Sequence, residues 1–124
     1  LLTLNALCAA NSLLVPVQGE YYALEGISDL MGTVRIVRRS MNPSLEIEGV
    51  LLTMYDGRTN LNIQVAQELK RFFGGKVYST IIPRNVRLSE APSHGKPISA
   101  YDRTCRGAEA YKALAAEFLR KNNC

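Results

Sequence analysis

Apolar positions along this chain follow two alternating rhythms. Ser12 to Val17 (SLLVPV) is a short apolar run of strand length, with Pro16 near its end where a missing N–H is tolerated. Glu46 to Met54 (EIEGVLLTM) is a second such run, apolar from Val50 to Leu52, and Lys76 to Ile82 a third. Between them the spacing changes to three and four residues. Leu24, Ile27, Met31, Val34 and Val37 predict a helix from about Tyr21 to Ser40. Leu61, Val65, Leu69 and Phe72 predict another. Ala108, Tyr111, Leu114, Phe118 and Leu119 form the apolar face of a last helix ending near Lys121, with Lys112, Glu117, Arg120 and Lys121 facing water. Strands alternating with helices predict an α/β fold of parallel strands joined by right-handed crossovers. All strand C-termini then lie on one rim, which gathers Gln18–Glu20, Tyr55–Arg58 and Pro83–Arg87.

Turn chemistry sets the boundaries. Asn42-Pro43 ends the long helix, and Arg35, Arg38 and Arg39 in its last turns suit the negative end of the helix dipole. Gly26 and Gly32 weaken that helix by about 1 kcal/mol each relative to Ala, which suggests close packing. Thr59 or Asn60 is expected to cap the next helix, and Gly74-Gly75 to stop it. Ile98 to Asp102 reads as extended or irregular, with Asp102 or Thr104 capping the last helix. Leu1, Leu4, Leu7 and Cys8 have helical spacing with no cap ahead of them and Asn11-Ser12 behind. We therefore expect the chain, 1–124, to be one portion of a longer protein.

Charge adds a direction. Residues 1–54 carry three arginines against five acids, whereas residues 55–124 carry twelve Lys/Arg against six. A basic second half suits an anionic partner such as nucleic acid or phosphate, or simply a solvated surface. Cys8, Cys105 and Cys124 show no metal spacing, and the single His94 cannot complete a zinc site without partners. Few, unpatterned cysteines suit a reducing cytoplasm. The apolar runs are too short to span a membrane.

The densest chemistry lies in Ile81–Pro97, IIPRNVRLSEAPSHGKP, where an apolar strand ends in a polar, basic loop. Open α/β sheets put their ligands there. Together with VPVQGEYYALEG (15–26), EGVLLTMYDGRTNL (48–61) and the continuation to Tyr111, this stretch resembles the C-terminal half of ParA/Soj-type chromosome- and plasmid-partitioning ATPases. The resemblance implies half of a doubly wound, three-layer α/β/α sheet of the P-loop NTPase type. ATP and Mg²⁺ would serve the complete protein, which would form a homodimer, bind DNA without sequence preference, and answer to a ParB-like centromere-binding protein in the cytoplasm, on the nucleoid.

The glycine-rich phosphate loop that such chemistry needs is absent here, since Gly74-Gly75 follow a helix rather than precede one. The chain alone is therefore expected to lack tight nucleotide binding and ATP hydrolysis, to hold no catalytic or metal-binding residues, and to self-associate through open sheet edges. The resemblance assigns Thr53, Met54, Pro83, Arg84 and Asn85 to the base side of the nucleotide. It places Gln18, Glu20 and Tyr21 near the dimer interface, and Arg58 and Arg87 on DNA. Lys76, Lys96, Arg84, Arg103 and Arg106 could widen the DNA patch. From the residues alone, Pro83 can equally be a strand terminator, Asn85 a helix cap, and Gln18–Tyr21 a helix start. Two other readings remain open: a nucleotide-independent DNA- or protein-binding module, and a MinD-like division-site ATPase. The tail AEFLRKNNC is short for the membrane helix the latter would need.

Overall fold

The computed structural model describes residues 1–20 and 22–123. Along the chain run α1 (Leu2–Ala9), β1 (Ser12–Gln18), α2 (Ala23–Ser40), β2 (Glu46–Thr53), α3 (Asn60–Phe73), α4 (Val86–Glu90), α5 (Ile98–Tyr101) and α6 (Arg106–Lys121). Tyr21, the expected start of α2, and Cys124 lie outside the described residues.

β1 and β2 pair in parallel from Ser12↔Glu46 to Gln18↔Thr53, with a slip after Leu13 that leaves Glu48 as an extra residue in β2. Side chains alternate across this pair. Val15, Val17, Val50 and Leu52 meet Ile27 of α2 and Val65, Ala66 and Leu69 of α3. Leu51 points the other way, to Tyr78, Ile82, Leu88 and the α6 residues Ala110 and Leu114. The result is the expected three layers, helices on both faces of a parallel sheet. A smaller cluster of Leu7, Val34, Val37 and Leu45 holds α1 against α2. Asn42 completes that joint, its amide donating to the carbonyls of Leu7, Cys8 and Ala10 at 3.0, 3.2 and 2.9 Å. These are the orphan carbonyls at the end of α1.

The third run is not a regular strand. It lies beside β2 in parallel but forms only isolated bridges, at Val50↔Val77 and, past the end of β2, at Tyr55↔Pro83. Tyr78 N–H donates to the Val50 carbonyl, and in a regular ladder Thr80 N–H would follow onto Leu52. Instead Ile82 N–H reaches Leu52, at 2.9 Å. The cause is Glu117. Its carboxylate accepts from Ser79 N–H and Thr80 N–H, both at 2.8 Å, and from the Thr80 hydroxyl at 2.7 Å. Glu117 is 3 % exposed, so its expected place on the wet face of α6 is wrong. α6 turns this carboxylate inward and leaves Tyr111, Phe118 and Leu119 substantially exposed.

Other boundaries also moved for local reasons. Thr59 caps α3, accepting from Asn62 N–H, and Gly74 ends it at φ 58°, a conformation that suits glycine. Phe72, expected in the core, is 79 % exposed, because α3 presents Ala66 and Phe73 instead. A Cβ on Gly26 or Gly32 would meet open space, so neither marks close packing. Ile98–Tyr101 is a helical turn because the Pro97 carbonyl accepts from Ala100 and Tyr101 N–H.

Cys105, rather than Asp102 or Thr104, caps α6, its Sγ accepting from Ala108 N–H at 3.4 Å. Sulfur is a weak acceptor and serine a preferred cap. Cys105→Ser should therefore stabilise the chain by about 0.5 kcal/mol, read as a higher melting temperature.

Candidate functional site

Parallel strands bring the loops after β1, β2 and the 77–83 segment to one rim. Asn62, at the start of α3, joins the first two. Its Nδ2 donates to Gly19 O at 3.1 Å, and its Oδ1 accepts from Asp56 N–H at 3.1 Å. Gly19 must lack a side chain here, since a Cβ would stand 2.6 Å from Asn62 Oδ1. The second and third loops are joined by backbone: Tyr55 N–H donates to Ile82 O, and Arg84 N–H to Tyr55 O. The Pro83–Arg84 backbone thereby becomes a ridge with a cleft on each side.

One cleft, of about 620 Å³, is walled by Thr53, Met54, Pro83, Arg84 and Asn85, all five positions expected on the base side. Pro16, Ile82, Val86, Leu88 and Tyr111 make most of the remaining wall apolar. Met54 sits at φ 49°, in the left-handed region that a non-glycine residue seldom adopts. Such a conformation costs of order 1 kcal/mol and collects at functional sites. Asn85 caps α4, its side chain accepting from Arg87 N–H at 3.0 Å.

The other cleft, of about 880 Å³, is walled by Tyr55, Asp56, Arg58, Arg84, Arg106 and Glu109, with Ile81 and Pro83 at its base. Arg58 is 89 % exposed and holds Asp56 in a fork, Nε to Oδ1 and Nη2 to Oδ2, each at 3.0 Å. Hydrogen bonds from the Arg58 side chain and backbone pull the Asp56 carboxyl down to about 2. Arg87 stands nearby on α4, half-exposed, 3.4 Å from Glu90 and 3.5 Å from Asp102. Tyr101 first, then Glu90 and Asp102, push its pKa up.

The structure separates one candidate from the rest. Lys76 precedes the 77–83 segment and so lies at the opposite end of the sheet, beside Glu48 and Lys121. Lys96 is exposed, in the turn after Gly95 (φ 63°). Gln18 and Glu20 are exposed on the rim; Tyr21 is outside the described residues. His94 stacks on Tyr101, ring centroids 4.9 Å apart. Among the described residues no three His, Cys, Asp or Glu side chains converge as metal ligands, and no helix is long and apolar enough to cross a membrane. Sequence reasoning missed Asn62, an ordinary polar residue in the linear text, and put Asp56 on the rim without a role.

The comparisons agree with one another. The chain is 65 % identical over 117 residues to the sporulation initiation inhibitor protein Soj of Bacillus subtilis, covering 94 % of this chain and 46 % of that protein. It is 54 % identical over 120 residues to the chromosome partitioning protein ParA of Caulobacter vibrioides, covering 97 % of this chain and 45 % of that one. By sequence, this chain resembles ParA/Soj proteins along nearly its whole length. A chromosome-partitioning ATPase Soj from Thermus thermophilus matches at 55 % identity over 97 % of the chain and 48 % of its own length. The chain thus spans a little under half of these relatives. A family model described as an AAA domain matches residues 1–47. Among solved structures, a Mycobacterium smegmatis cobyrinic acid a,c-diamide synthase with bound ADP and magnesium superposes with a TM-score of 0.74 at 31 % identity, over 98 % of this chain and 43 % of that one. The same enzyme with a bound ATP analogue and magnesium gives 0.74 at 32 % identity, over 96 % and 43 %. The parallel α/β arrangement therefore matches the P-loop NTPase-like fold of these structures.

Proposed function

We propose that this chain supplies the base-side and DNA-contact loops of a ParA/Soj-type partitioning ATPase. In that reading the complete protein dimerises on ATP, binds DNA without sequence preference, and answers to a ParB-like centromere-binding partner on the nucleoid, in the cytoplasm. The observation that carries it is the pair of clefts on one rim: five base-side residues wall the apolar one, and Arg58 stands in the basic one beside it. Apolar walls with backbone donors and acceptors suit a purine ring. The residues present fit the base only. Phosphates and Mg²⁺ need a glycine-rich loop and carboxylates that segments outside these 124 residues would provide, and that supply would carry the hydrolytic chemistry. In this reading Gln18 and Glu20, exposed on the rim, would meet a second subunit. Arg58, Arg87 and Lys96 form the DNA face; Lys76, at the far end of the sheet, is left out of it.

In the complete ATPase, Arg58→Ala and Arg87→Ala should each weaken DNA binding for every sequence tried. Each lost phosphate contact should reduce the slope of log affinity against log salt by about 0.9. Titrations with two unrelated duplexes, with and without ATP, decide the matter. Unchanged binding in the double variant would refute the reading. Binding that ignores ATP would favour a nucleotide-independent module.

A further inference from the structure

The larger cleft shares only Pro83 and Arg84 with the apolar one, and its chemistry differs from that of its neighbour. Three arginines line it from three separate elements: Arg58 from the loop after β2, Arg84 from the ridge, and Arg106 from the first turn of α6. Asp56 and Glu109 are the carboxylates in the same wall. Three positive against two negative side chains leave one net positive charge. Asp56 is also engaged, since both its oxygens accept from the Arg58 guanidinium. Among the described residues no ion pair engages Arg84 or Arg106.

We propose that this cleft is a seat for one phosphodiester of the DNA backbone, held by Arg84 and Arg106 with Arg58 at its edge. This rests on the DNA-binding reading above and gives Arg84 and Arg106, until here only candidates for a wider patch, a specific role in it. A single net charge matches a singly charged diester, whereas the two carboxylates would repel the dense charge of a nucleoside triphosphate. Planar guanidiniums bind phosphate oxygens in forked pairs, and such contacts position a protein on DNA without reading sequence. The cleft is open to solvent and continuous with Arg58 on the rim, so a backbone can lie across it. The Asp56–Arg58 fork gives Arg58 a fixed direction while its 89 % exposure leaves the guanidinium accessible.

Arg106 offers the clean test, because it walls this cleft and not the apolar one. In the complete ATPase with ATP, Arg106→Gln should reduce the salt slope of duplex binding by about 0.9, equally for two unrelated sequences. Arg35→Gln, which removes the same charge from α2 on the other side of the sheet, should leave the slope unchanged. Thermal melting of both variants checks that the fold is intact. A normal slope in Arg106→Gln, beside a reduced one in Arg58→Ala, overturns the phosphate seat and leaves the DNA reading standing. Equal losses in Arg106→Gln and Arg35→Gln also overturn it, since they would report general charge. Unchanged binding when Arg58 and Arg87 are both lost overturns the DNA reading itself.

Discussion

Glu117→Ala is expected to destabilise the chain by about 2 kcal/mol, because it removes a buried carboxylate that accepts from three part-buried donors. The carboxylate accepts three hydrogen bonds from Ser79 and Thr80, at 2.7–2.8 Å, from a residue that is 3 % exposed. Lys121 lies 3.7 Å away and also stands over the Tyr78 ring. Glu117→Gln keeps the shape but turns an NH₂ toward an N–H, so it should lose part of the same energy. The effect depends on pH in a defined direction. Burial pushes the Glu117 carboxyl up, but the Thr80 hydroxyl, the Ser79 and Thr80 N–H groups and Lys121 outweigh it and hold it below the ordinary glutamate value. A carboxyl that is lower folded than unfolded stabilises above its unfolded pKa. That contribution should be complete at neutral pH and fade as the pH falls below about 4.3, through the lowered folded value. Urea unfolding of all three proteins from neutral to acid pH measures both effects. If Glu117→Ala unfolds within error of the parent, the carboxylate is not what holds the 77–83 segment in its bowed path.

Gly49→Val should cost about 3 kcal/mol, by overpacking. Gly49 follows the extra residue Glu48 in β2, and Tyr78 lies flat against its backbone. A Cβ there would stand 2.6 Å from Tyr78 Cδ1 and 2.9 Å from the Lys76 carbonyl oxygen. Tyr78 cannot step aside: it is 1 % exposed, and burial, followed by the Glu48 charge, pushes its hydroxyl up to about 12. Even Gly49→Ala should be clearly destabilising. A melting temperature unchanged in Gly49→Ala would mean that the ring has room to move.

The course of the chain was legible wherever side chains repeat against one neighbour. Leu13–Val17 and Val50–Leu52 read as strands, Ile27 to Val37 as a helix, and Thr59, Gly74 and Asn85 as punctuation, because each of those signals is local. The failures have a tertiary cause. A charged residue on a helix wheel is assigned to water, and nothing within α6 says that Glu117 faces two N–H groups some 38 positions earlier. The same carboxylate is why Lys76–Ile82, strand-like in composition, does not complete its ladder. Phe72 went wrong because the apolar face of α3 turns toward Ala66 and Phe73. The five base-side residues came from the resemblance, since Met54 and Pro83 carry no chemistry of their own. Lys76 is a different case. Its place before a parallel strand already put it at the end of the sheet away from Arg58, and counting charges along the chain hid that.

Pro83 and Arg84 belong to both clefts. They are also anchored, through Tyr55, to the loop that carries Arg58. No occupant can push this ridge from one side without reshaping the space on the other. Two ligands that share a movable wall are thermodynamically linked, and the linkage is reciprocal: whatever factor the first applies to the second, the second returns. If the clefts hold a base and a backbone phosphate as proposed, this two-residue partition would let the protein weigh one against the other without a hinge or a rearrangement of the sheet.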